Sequence, residues 1–127
     1  MSYVTEKDWI TKAGLRAVCI FARDSHRCGY VEVPKGHPLY EVDYHKDTVV
    51  LGKSPDLVFE VHGGLTYSGG QDDYPVNTDG ESWWFGFDCA HLGDATAYHH
   101  EAGDVQRSDR YVVAECESLA RQIVETV

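Results

Sequence analysis

The run Trp83-Trp84-Phe85-Gly86-Phe87 constrains this chain more than any other stretch. Four aromatic side chains in five positions are too apolar to sit together in water, so the segment reads as a buried strand. Within a few residues it breaks into Asp88-Cys89-Ala90-His91-Leu92-Gly93-Asp94, a set of groups that bind metals, accept protons or hold ligands. A rigid strand that aims and a loop that adapts is a common way to build a site.

The rest of the chain supplies partners for that strand. Leu15 to Ala22 is an almost unbroken apolar run, as expected of a central strand covered on both faces. Asp24-Ser25-His26-Arg27 reads as a polar turn and Cys28 to Val33 as a second strand, making a hairpin with the first. Pro34 and Pro38 then remove backbone donors and end regular pairing. Leu57 to Val61 reads as a third strand running into His62-Gly63-Gly64, and Val49-Val50-Leu51 as a short edge element. Ser68 to Ser82, rich in Gly, Asp, Asn and Pro, reads as a loop, and Ala95 to Asp104 as a polar connection. Near the N-terminus, Thr5 followed by Glu6 and Asp8 suggests a capped helical turn reaching Thr11. From Ser108 onward, Val112, Cys116, Leu119, Ala120, Ile123, Val124 and Val127 recur at steps of three and four. That spacing predicts a long helix with one apolar stripe, capped by Ser108 or Asp109, with Glu117 and Arg121 paired on its wet side. The expected fold class is α+β: one domain spanning 1–127, with an antiparallel or mixed sheet of four to five strands and the C-terminal helix on one face.

Charge narrows the partners. Eleven Lys and Arg stand against 21 Asp and Glu, for a formal net charge of −10. Such a field repels phosphates unless a basic patch overrides it, and the cations are spread thinly, so direct nucleic-acid binding is disfavoured. An acidic surface serves solubility, or acts as a decoy for a basic partner protein. No segment approaches the roughly 20 apolar residues of a membrane span. The N-terminal Met-Ser-Tyr-Val-Thr-Glu-Lys-Asp carries acidic groups where a signal peptide has its basic and apolar regions, so the expected location is cytoplasmic. Cys19, Cys28, Cys89 and Cys116 are scattered without a Cys-x-x-Cys pair, which argues against a zinc knuckle, and Cys19 and Cys116, in apolar runs, read as packed thiols.

Three readings fit Asp88, His91 and Asp94: a strand-capping arrangement, a ligand pocket without metal, or a site for a divalent metal on all three. If the chain is an enzyme, His91 and Asp88 are its candidate catalytic acid–base pair. Cys89, flanked by Asp88 and His91, is a weaker candidate nucleophile. In His62-Gly63-Gly64, paired glycines after a strand expose amides able to cradle an anion, or simply make a tight turn. Thr66 and Tyr67 add hydroxyl donors. Arg27 would supply a bidentate phosphate contact, and His37 a further polar group, though both also read as exposed turn residues. Trp83, Trp84 and Tyr67 offer faces for stacking a ring, with one of the two tryptophans expected in the core. The His99-His100-Glu101 loop reads as solvated. A pocket of Arg27, His37, His62, Gly63, Gly64, Thr66, Tyr67, Trp84, Asp88 and His91 is the leading expectation, taking a small anionic, nucleotide-like ligand.

His26-Arg27-Cys28-Gly29-Tyr30-Val31, Gly36-His37-Pro38-Leu39-Tyr40, His62-Gly63-Gly64-Leu65-Thr66-Tyr67, Trp84-Phe85-Gly86-Phe87-Asp88-Cys89-Ala90-His91 and Tyr111 to Leu119 together resemble a family of small proteins carried by phages and prophages. The resemblance spans most of the chain, from about Trp9 to the last helix. It implies an accessory protein acting in the host cytosol, with counter-defence as a role by association. On that view the partner is a nucleotide signal or a host defence protein. The resemblance carries no catalytic residues over.

Overall fold

The computed structural model describes residues 3–126, which form a five-stranded antiparallel sheet and a long C-terminal helix. In chain order the elements are β1 (Tyr3–Ile10), β2 (Arg16–Ala22), β3 (His26–Glu32), α1 (Pro55–Val58), β4 (Tyr67–Gly69), β5 (Trp84–Asp88) and α2 (Asp109–Val124). The strands lie in the order β1-β2-β3-β5-β4, so β5 is inserted between β3 and the short β4. The α+β class, the β2–β3 hairpin, the aromatic strand and the final helix follow the sequence pattern.

Four segments depart from it, one being the loop expected from Ser68, whose first two residues belong to β4 because β5 supplies their backbone partners. Residues expected to form a helical turn at Thr5 instead make edge strand β1, where β2 supplies the backbone partners. Its register slips at a bulge between Thr5 and Lys7. The segment read as a strand from Leu57 starts with α1: Ser54 precedes Pro55, whose fixed φ and missing N–H suit the first helical position. Val49 to Leu51 is a turn rather than an edge element, with Val49 98% exposed.

Alternation along the strands divides the interior into two layers. Ala17, Cys19, Val31, Phe85 and Phe87 face α2, which contributes Val112, Cys116, Leu119, Ala120 and Ile123. Val18, Ile20, Cys28, Tyr30 and Trp84 form the opposite layer, covered by Tyr67, Tyr74 and Val76. The expectation that β2 is covered on both faces therefore holds. Across β3 and β5, Gly29 pairs with Phe87 and Tyr30 with Gly86. A Cβ at Gly29 would run into the Phe87 ring and Cys116 Sγ, and one at Gly86 into the Tyr30 ring, so each aromatic lies over the glycine opposite it.

Ser108 caps α2 by accepting a hydrogen bond from the Tyr111 N–H at 3.1 Å. Val124 falls off the buried stripe, and Val127 lies outside the described residues. Glu117 does not pair with Arg121. It accepts from Trp9 Nε1 at 2.8 Å and from the Lys12 amide at 3.0 Å, fastening the helix to the β1–β2 turn. Among the described residues, no helix is long and apolar enough to cross a membrane.

Candidate functional site

The loops that follow Val61 and Phe87 finish side by side. The His62 and His91 rings stand with centroids 6.0 Å apart. Gly63 makes this approach possible: its φ is +68°, and a Cβ there would overlap the His91 imidazole. From this meeting point the polar groups divide between the two layers.

On the α2 side lies a closed knot around Asp94, which is 1% exposed. Its Oδ1 accepts from Arg107 Nε at 2.7 Å, and its Oδ2 accepts from His62 Nε2 at 2.7 Å and from the His91 amide at 3.0 Å. Tyr111 OH, from the first turn of α2, lies 2.7 Å from His62 Nδ1. With Nε2–H donated to the carboxylate, Nδ1 is the acceptor for the phenol. The His62 amide donates to Glu115 Oε1 at 2.7 Å. Burial pushes the Asp94 carboxyl upward, but the bonds from Arg107, His62 and the His91 amide outweigh it and hold the group below the ordinary carboxylate range. Both nitrogens of His62 are thus committed, and the knot ties the loop after Val61 to the loop after Asp88 and to α2.

On the other side of the sheet, at its β2–β3 turn end, is a cleft of about 290 Å³. Tyr30, Tyr67 and Tyr74 wall it, Asp88 lines it from β5 and Thr66 from just before β4, and Arg23 from the hairpin turn and His26 from the start of β3 line its remaining side. The three rings meet edge to face with centroids 5.3 to 5.6 Å apart. The Tyr30 and Tyr74 hydroxyls bond to each other. Asp88 Oδ2 accepts from Thr66 Oγ1–H at 3.2 Å and Oδ1 from the Ala90 amide at 3.1 Å. His91 Nε2 lies 3.1 Å from Oδ1, near enough for an ion pair but out of line for a hydrogen bond. Burial lowers the affinity of His26 for a proton and raises the phenols of Tyr30, Tyr67 and Tyr74. A second hollow, of about 400 Å³, sits at the opposite end of the β1–β2 hairpin beside Lys12 and Glu117.

Of the residues expected to share one pocket, Thr66, Tyr67 and Asp88 line the cleft, with His91 against Asp88. Others are corrected. Arg27 is a β3 residue whose guanidinium grips Glu6 at 2.7 Å and the Arg107 carbonyl at 3.0 Å, so its donors are spent within the fold. His37 accepts from the Leu39 amide at Nδ1 and donates from Nε2 to the Ile123 carbonyl at 3.0 Å, closing the end of α2 away from the cleft. His62 belongs to the knot. The Gly64 amide donates to the Val61 carbonyl at 2.8 Å in a turn, so the Gly63-Gly64 pair sets the approach of His91 rather than an anion cradle. Trp84 is fully buried and stacks nothing in the cleft.

Asp88, His91 and Asp94 do not converge as metal ligands. The Asp94 oxygens are committed to Arg107 and His62, and among the described residues no three His, Cys, Asp or Glu side chains are gathered to hold a metal. Cys89 is 1% exposed and its thiol is pushed up to about 12 by burial, which removes the thiolate a nucleophile needs. Tyr30, Tyr74, Arg23, Arg107 and Tyr111 escaped the sequence reading. Compared with known proteins, the chain matches no family model, no curated protein and no solved structure.

Proposed function

We propose that this chain is a binding protein for a small nucleotide-like ligand, held in the tyrosine-walled cleft. The carrying observation is the composition of that cleft: three aromatic rings, a carboxylate with free acceptor capacity and a guanidinium, all lining one hollow of about 290 Å³. Ligand sites are concave and carry a few polar groups that converge to fix orientation, and this cleft is a concave hollow with such groups beside its rings. A ring lies against tyrosine, Asp88 reads its polar edge, and Arg23 takes over the phosphate contact first assigned to Arg27. In the phage setting suggested by the sequence resemblance, such a protein sequesters a nucleotide signal from host defence. Calorimetry of the full chain against linear and cyclic nucleotides tests the reading. Saturable heat with at least one is expected, and none with a folded sample ends it.

The approach of His91 Nε2 to Asp88 at 3.1 Å favours one second reading, in which the same cleft is an active site and His91 the acid or base. Product formation from a bound nucleotide, abolished by His91→Ala with binding retained, would replace the first reading with this one.

A further inference from the structure

We infer that the cleft selects a planar ring presenting two adjacent N–H donors along one edge, as guanine does with its N1–H and exocyclic amino group. This rests on reading the cleft as a nucleotide site and adds what that site discriminates.

Among the described residues, Asp88 is the only carboxylate lining the cleft. An ionised carboxylate accepts only, with about four lone-pair positions over its two oxygens. Thr66 Oγ1–H occupies one on Oδ2 and the Ala90 amide one on Oδ1. Both partners are donors, so they orient the group as an acceptor, and because His91 Nε2, 3.1 Å from Oδ1, is out of line for a hydrogen bond, each oxygen keeps capacity. The side chain is about one-third exposed, which keeps that capacity within reach of the hollow. The surrounding tyrosines do not compete for the same edge. The Tyr30 and Tyr74 hydroxyls are used on each other, and the Tyr67 hydroxyl leans over Gly69 of its own strand. On the β5 side of the cleft, polar readout of a ring edge therefore falls to a fork of two acceptors, with Arg23 and His26 on the hairpin side.

Bases differ in how they meet such a fork. The guanine edge offers two neighbouring donors and pairs with both oxygens, a charge-assisted bidentate contact. The adenine and cytosine edges place an acceptor beside a donor, and uracil places its one N–H between two carbonyls. Each of those sets a lone pair against a carboxylate oxygen, leaving it unpaired in a partly desolvated site. Hypoxanthine keeps N1–H but lacks the amino group and falls between.

The test is calorimetry of the full chain with guanosine, inosine, adenosine and xanthosine 5′-monophosphates, on the wild type and on Asp88→Asn. In the wild type, guanosine monophosphate should bind about tenfold or more tightly than adenosine monophosphate, with inosine monophosphate between them. Asp88→Asn presents one donor and one acceptor, so it should lose the guanosine ligand and gain xanthosine monophosphate, whose edge pairs N1–H with a carbonyl. A gain of binding is not something a misfolded variant supplies. Equal affinity for adenosine and guanosine monophosphates in the wild type would overturn the edge assignment and leave the nucleotide site standing. So would an Asp88→Asn variant that keeps its guanosine preference. No heat from any of the four in the folded wild type would overturn the edge assignment, and if the wider panel is also silent the nucleotide reading falls with it.

Discussion

Asp94, on the helix side of the sheet, meets three donors and is sealed from solvent, while Asp88, six residues earlier, meets two and is about one-third exposed. The histidines divide in the same way. His62 has a partner on each ring nitrogen, whereas His91 Nε2 is shielded without a hydrogen bond, as is the Tyr67 hydroxyl beside the cleft. Two carboxylate–histidine pairs whose carboxylates stand six residues apart thus serve opposite ends. A saturated polar network specifies the geometry of the chain, because each group left without its partner would cost free energy. A network with capacity to spare is able to receive something from outside.

The sharpest way to break this contrast is to remove each carboxylate in turn. Asp94→Ala removes the buried acceptor of half-buried Arg107 and His62 and of the His91 amide, and should cost about 2–4 kcal/mol in denaturant unfolding. Asp88→Ala, by contrast, should cost only about 1 kcal/mol while abolishing ligand heat. Equal losses of stability would show that Asp88 is structural too. Gly63→Ala sits where φ is positive and would displace the His91 ring, for a cost of about 1–3 kcal/mol read as a lowered melting temperature.

Titration sharpens the same comparison. The folded Asp94 carboxyl lies below its ordinary value of 3.8, so its contribution is fully present above that value and is lost as pH falls through the folded pKa. Acid unfolding of the wild type should therefore steepen below about pH 4 relative to Asp94→Asn. At the alkaline end Cys19, Cys28 and Cys89 are each pushed from 9.0 up to about 12 by burial. Their stabilisation is complete below pH 9 and disappears as pH rises towards 12, which a pH-dependent melt should follow. The smallest effect belongs to Arg27→Ala. It breaks the contact with Glu6, should cost about 1 kcal/mol and should leave ligand affinity unchanged. A large loss of affinity would return Arg27 to the site.

Period-based reading succeeded where burial imposes a pattern. The stripe from Val112 to Ile123 and the apolar runs of β2, β3 and β5 all face dense layers, and each was legible. β1 was not, because an edge strand exposed along most of its length carries no alternation, and its acidic residues after Thr5 mimic a helix cap. Leu57 to Val61 misled because a short apolar run looks alike in strand and helix, although Ser54-Pro55 held the start signal for α1. The meeting of the His62 and His91 loops could be anticipated from chemistry, but their division between two layers could not. It depends on which way Asp88 and Asp94 point, and so on strand register and the turn after Cys89. Arg107 and Tyr111 lay hidden because their partners are 13 and 49 residues away in sequence.

The bulge in β1 has a bearing on how this molecule behaves when crowded. A flat outer strand invites neighbours to extend the ladder into fibrils, and here that rim is interrupted between Thr5 and Lys7 and carries Glu6, Lys7 and Asp8 in succession. Any incoming chain would meet a broken template and a row of mixed charge. Growth of the sheet beyond its own polypeptide is thereby discouraged on that side.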